Sequence, residues 1–171
     1  MVDKLIAGYS LHKGSSLDRA LLVKTMQRTY KELYPHQAVD HLAHTVDQYL
    51  SNDTILWWVK TTAPLPYSSM PFVQASHIQA PVACLWLGDA VDQVEGDRHA
   101  YVFLLYVDPD HRRRGIGTAL MERASRWAKE RGDRKISLQV FSNNHPALAM
   151  YHHLGYQTQS FWMSKSLVDT D

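Results

Sequence analysis

The residues between 101 and 120 restrict the fold of this chain most. Tyr101-Val102-Phe103-Leu104-Leu105 is an apolar and aromatic run that reads as a buried strand. Asp108-Pro109 stops it, because proline has no N–H to give to a ladder. Three arginines follow, Arg112, Arg113 and Arg114, then Gly115 and Gly117. From there Ile116, Leu120, Ala124, Trp127 and Ala128 recur at helical spacing as far as 131, where Gly132 is placed to cap the helix. The chain therefore contains a strand, a basic glycine turn and a helix start in immediate succession.

The chemistry of such a turn is anion binding. The first amides of a helix have no acceptor inside it, and the helix dipole adds positive potential at that end. Gly115 and Gly117 remove side chains from the path of a diphosphate, and the arginines add charge around it. The plainer alternative is an ordinary strand-to-helix loop with a solvated basic run. Two familiar phosphate loops do not fit. Gly-Lys-Ser/Thr occurs nowhere in the chain, and the position at which the dinucleotide fingerprint needs a small third residue is Leu120.

Arg112-x-x-Gly115-x-Gly117 after a strand resembles the acyl-CoA pyrophosphate motif of the GNAT superfamily of N-acyltransferases. A second stretch, Asn144-x-x-Ala147-x-x-x-Tyr151-x-x-x-Gly155-Tyr156, resembles the other signature of that family. Order and gap also fit, and the likeness covers roughly residues 80–165. The resemblance implies an α/β (α+β) domain with a mixed central sheet flanked by helices. It implies acetyl-CoA as co-substrate, with its pantetheine arm against the backbone of Leu105, Tyr106 and Val107. The pyrophosphate would sit on the amides of Arg112, Arg113, Arg114, Gly115, Ile116, Gly117 and Thr118. Asn144 matches a position that contacts the cofactor arm. Tyr151 matches the tyrosine whose hydroxyl reaches the thioester sulfur, which makes it the expected catalytic acid.

The remaining chain sets bounds on this reading. At 171 residues it is expected to be one domain over 1–171, with 45% hydrophobic and 20% charged residues. A net charge of +1 does not suggest nucleic-acid binding. Cys84 lies in an apolar run and has no partner for an internal disulfide. The N-terminus lacks the apolar core of a signal peptide, and no run approaches the ~20 residues of a membrane span. A cytoplasmic protein, monomeric or homodimeric, is expected, with no nucleic-acid or membrane partner.

Taken in order, the patterns predict a strand over 5–11 and a helix after Ser15 that ends before Pro35. A second helix is expected over 37–50, and strands over 54–60, 81–88 and 101–107. The helix over 115–131, a strand over 135–141, a helix to 154 and a last strand over 156–167 follow. The expected order is β-α-α-β-β-β-α-β-α-β. His36, Asp40, His44 and Asp47 share one face of the second helix and read as a solvated polar face, with no metal assigned. The proline-rich stretch 61–80, with Tyr67 and Phe72, is a long connection that the family resemblance places near the acceptor; the alternative is a plain surface loop. Asp89, Asp92, Glu95 and Asp97 read as the solvated tip of a hairpin, the alternative being a face for a cationic amine.

The function implied is acetyl transfer from acetyl-CoA to the primary amine of a small molecule. The alternatives are acetylation of a peptide N-terminus or protein lysine, and a non-catalytic acyl-CoA-binding module. The reaction needs a neutral amine. Glu95, Asp97, His99 and Tyr101 are near the strand, but none stands out as the base. Tyr30, Tyr34, Trp57, Trp58, Trp86 and the two aromatics of the 61–80 stretch offer either an aromatic acceptor wall or plain core.

Overall fold

The computed structural model describes residues 2–62 and 80–167. The chain divides into two compact units, Met1–Gln139 and Val140–Asp171. The first unit is built on a six-stranded sheet in the order β1 to β6: β1 (Val2–Ile6), β2 (Tyr9–Lys13), β3 (Ile55–Thr61), β4 (Ala83–Val91), β5 (Arg98–Val107) and β6 (Ile136–Leu138). Every neighbouring pair is antiparallel except β5 and β6, which are parallel.

Alternation along the strands sends side chains to two faces. On one face, Leu56, Trp58, Cys84, Trp86, Leu104 and Tyr106 pack against Leu22 and Met26 of α1 (Arg19–Leu33) and Leu42 and Val46 of α2 (Leu42–Tyr49). Burial pushes the Cys84 thiol up, in keeping with an inert core cysteine. The other face is served by α3 (Ile116–Arg131), which buries Ile116, Leu120, Met121, Ala124 and Ala128. Arg123 of α3 lies over the Trp57 ring at 5.9 Å.

Several elements differ from the sequence reading. The stretch read as one strand over 5–11 is a hairpin, β1 and β2, closed at Ala7-Gly8 where Gly8 takes φ +81°. The second helix begins at Leu42, so His36 and Asp40 precede it and share no helical face with His44 and Asp47. Asp47 instead holds Arg19 of α1, with Nη2 to Oδ2 at 2.7 Å. The link between β4 and β5 is shorter than expected, because both strands extend into it. Its carboxylates fasten the tip: Asp92 Oδ1 accepts from the amides of Val94 and Glu95 at 2.8 Å, and Asp92 also pairs with Lys135. Lys135 first, then those two amides, hold the Asp92 carboxyl well below the usual carboxylate range.

The second unit contains α4 (His145–His153), started by Asn144 with Pro146 in its first turn. The strand expected over 156–167 is absent: this stretch has no regular structure. Its alternating apolar residues find no buried face. Phe161, Trp162, Met163 and Leu167 are all at least 84% exposed. The order is thus β-β-α-α-β-β-β-α-β-α. Residues 63–79, which include Tyr67 and Phe72, lie outside the described residues.

Candidate active site

The site begins with an edge. Among the described residues β6 pairs with β5 over Ala100, Tyr101 and Val102 and then ends. Among the described residues, the β5 stretch from 103 to 107 has β4 on one side and no strand on the other. The Asp108 amide donates to the Val82 carbonyl at 2.8 Å. By ladder alternation the backbone of Tyr106 also turns toward β4, and Leu105 and Val107 turn theirs to the open edge. The Val107 carbonyl already accepts from Arg112 Nε at 2.8 Å. Just before this stretch the register slips: Trp86 pairs with Leu104 but Leu87 with Val102, so Phe103 is the extra residue of a β-bulge.

The turn after β5 is a short 3-10 segment, Pro109–His111, followed by backbone that only special residues adopt easily. Arg113 has φ +61° and Gly115 φ +81°. Gly115 is the N-cap of α3 and brings no side chain to cap it. The first closed helical bond is Ala119 N to Gly115 O at 3.0 Å, so the amides of Ile116, Gly117 and Thr118 have no acceptor within the helix. A Cβ built at Gly115 would meet no atom within 4 Å, so the backbone is open to a ligand there.

The three arginines do different things. Arg112 Nη2 donates to Glu32 of α1 at 2.6 Å, in addition to its bond to Val107. Arg114 donates to the Tyr9 hydroxyl at 3.1 Å and to the Asp110 carbonyl at 3.0 Å. The same hydroxyl shares a hydrogen bond with His111 Nδ1, 2.9 Å away. Arg113 alone of the three makes no hydrogen bond or ion pair among the described residues, and it is exposed. Two arginines therefore brace the turn, one against α1 and one against β2. On the α1 side, Arg28 adds bonds to Asp108 Oδ2 at 3.2 Å and to the Tyr106 hydroxyl at 3.3 Å. Tyr9, Arg28, Glu32 and His111 were not legible as site residues, because each acts on a partner at least 78 positions away.

Three of the four residues considered for a base are occupied. Glu95 is 3.3 Å from Lys135, Asp97 is 3.3 Å from Arg134, and the buried His99 shares a 2.7 Å hydrogen bond with Ser137. Among the described residues no group of three or more His, Cys, Asp or Glu is placed to hold a metal ion. No described helix is long and apolar enough to cross a membrane.

In the second unit, Asn144 Oδ1 accepts from the Ala147 amide at 3.3 Å, so the cap uses that oxygen. Tyr151 is 8% exposed, with its ring 5.6 Å from that of Tyr156. Burial, and secondarily Tyr156, push its hydroxyl up to about 12. At neutral pH it is a protonated donor.

Comparison with known proteins agrees with this geometry. The model of the Acetyltransferase (GNAT) family matches residues 24–156. An uncharacterized N-acetyltransferase of Methanocaldococcus jannaschii is 39% identical over 74 residues, which is 43% of this chain and 31% of that protein. The ribosomal protein bS18-alanine N-acetyltransferase of Escherichia coli is 39% identical over 67 residues, 39% of this chain and 45% of that one. The chain thus spans less than half the length of each of these relatives. A protein of Clostridium acetobutylicum, crystallised with acetyl-CoA as a predicted acetyltransferase, has a TM-score of 0.67 at 20% identity, over 93% of this chain and 96% of that one. At that identity the likeness shows the fold. The six-stranded sheet flanked by helices is the fold of these acetyltransferases, and the chain belongs to the GNAT acetyltransferase family.

Proposed function

We propose that this chain transfers the acetyl group of acetyl-CoA to the primary amine of a small molecule, by direct attack of the amine on the thioester. The observation that carries the reading is the open β5 edge running straight into the uncapped start of α3. An edge strand takes up amide groups as an added strand would. Three unpaired helical amides take up a diphosphate.

In this reading Leu105 and Val107 hold the pantetheine arm, with Tyr106 fixing the strand from the β4 side. Arg112, Arg113, Arg114, Gly115, Ile116, Gly117 and Thr118 form the pyrophosphate turn, with Arg113 as its free charge and Arg112 and Arg114 as its braces. In this reading the chain is one N-acetyltransferase domain over 1–171, and Asn144 and Tyr151 of α4 keep the roles that the sequence resemblance implies. Acetyl-CoA supplies an activated acyl carbon and a thiolate leaving group. A backbone N–H of β5 steadies the charge that develops on the carbonyl oxygen. Tyr151 donates a hydrogen bond to the sulfur as its negative charge grows. With the hydroxyl at about 12 and a thiol near 8.5, full proton transfer is uphill, so the bond itself is the contribution.

The likeness to a ribosomal protein bS18-alanine N-acetyltransferase favours a second reading, a peptide N-terminus as acceptor. A thermal melt tests the shared part. Acetyl-CoA at millimolar concentration raises the melting temperature by mass action, and the 3′-dephospho form retains most of the shift because the turn reads the diphosphate. A melt that neither compound moves removes the acetyl-transfer reading.

A further inference from the structure

We infer that the acceptor amine is carried on an apolar, aryl or alkyl, skeleton, recognised by the aromatic rings around the bulge of β5; the inference rests on the acetyl-transfer reading above. Phe103, the extra residue of the bulge, is the centre of this cluster. Its ring lies 4.7 Å from Trp86, 5.0 Å from Tyr49 at the end of α2 and 5.2 Å from Tyr101. The chain gives up a side chain to keep it there: a Cβ at Gly88 would lie 2.3 Å from Phe103 Cε2. Tyr30 of α1 belongs to the same neighbourhood. Burial raises the Tyr101 hydroxyl above its ordinary value, and Tyr30 and Tyr49 raise it further.

The cluster is closed below and open above. Trp86 is fully buried, whereas Tyr49 is 43% exposed and Tyr30, Tyr101 and Phe103 are half-buried. Trp58, on the same face, is buried almost completely. The open rim adjoins the β5 edge that β6 leaves free, the place given above to the pantetheine arm and hence to the thioester.

The carboxylates at the 108–112 end of β5 offer no spare counter-charge to a polycation: Glu32 is paired with Arg112 and Asp108 with Arg28. An apolar amine needs no counter-charge. Desolvation among rings also favours the neutral amine over the ammonium, which supplies the attacking form without a dedicated base. The nitrogen then bonds to the acetyl carbon and the carbon–sulfur bond breaks. Sulfur leaves with the electron pair, and one amine proton ends on the thiol by way of solvent.

The test is thiol release at saturating acetyl-CoA with 2-phenylethylamine, spermidine, kanamycin and an alanine-first peptide, on the whole chain and on Tyr49→Ala. The expected kcat/KM for 2-phenylethylamine exceeds that of the other three by about tenfold or more. Tyr49→Ala, whose side chain is partly exposed, lowers that preference severalfold through the KM for the amine. The acetyl-CoA-induced melting shift stays as in the parent, which separates this effect from loss of cofactor binding or fold. Equal or better turnover of a polycation or the peptide overturns the inference, as does an unchanged preference in Tyr49→Ala. A preserved melting shift with no turnover of 2-phenylethylamine overturns the inference and leaves the acetyl-CoA reading standing. Loss of the shift in the parent protein overturns both.

Discussion

In the proposed reaction, Tyr151 is where a single hydroxyl should matter most. It is nearly buried, and its proton is held to about 12. Tyr151→Phe keeps the ring and removes the donor. The expected loss is about 10–100-fold in kcat with little change in acetyl-CoA affinity, at or below the low end of general acid help, because Tyr151 offers the sulfur a hydrogen bond and not a proton, and a thiolate already leaves readily. The sign of its pH linkage is also fixed. The folded hydroxyl titrates above the ordinary ~10 of tyrosine, so the stability it contributes is fully present below pH ~10 and is lost as pH rises through about 12. Chemical denaturation of parent and Tyr151→Phe between pH 9 and roughly 11.5 checks this: the parent loses stability faster than the variant. Parallel curves refute the burial account. At this scale the sequence was informative where local spacing decides structure: Asn144 as the cap of α4 was legible. The unequal work of Arg112, Arg113 and Arg114 was not, since nothing local reveals Glu32 or Tyr9 as partners.

The element that shapes the site is the turn 108–116, and its bracing is spread over the fold. Tyr9 joins β2 to His111 and Arg114, while Glu32 and Arg28 of α1 hold Arg112 and Asp108. Tyr9→Phe deletes the hydroxyl that both His111 and Arg114 use. A stability loss of about 1–3 kcal/mol is expected, since two polar groups lose their partner in a partly buried setting. The KM for acetyl-CoA should rise severalfold at nearly constant kcat. A kcat effect without a KM effect would show that Tyr9 does not act through the turn. Element boundaries were read well where a cap is written in the chain, as at Gly132, which takes φ +93° at the end of α3. They were missed where tertiary context decides. Ala7-Gly8 is a two-residue hairpin loop, but its flanking strands are too short for the pattern to separate them. The alternation over 156–167 predicted a strand, yet alternation needs a buried face, and these side chains are exposed.

At the scale of the whole molecule, one property of the sheet organises the rest: β6 is short, so β5 keeps an edge at the point where the chain turns into α3. The general class of the fold and the run of elements from β3 to α4 follow from hydrophobic periodicity and breakers. The shortness of β6 does not, because Lys135 to Phe141 alternates evenly and ends pairing without a sequence cue. The central claim is that the amides at the start of α3 hold the diphosphate of acetyl-CoA. Gly117 tests it most directly, since it lies inside the first turn of α3, beside the proposed diphosphate site, where a helix admits a branched side chain. Titration calorimetry of acetyl-CoA into the parent protein and Gly117→Val should show binding to the first and an affinity lower by about tenfold or more, roughly 1.4 kcal/mol, in the second, with both folded by circular dichroism. Equal affinity in the two proteins, or no binding to the parent at millimolar ligand, would contradict the account.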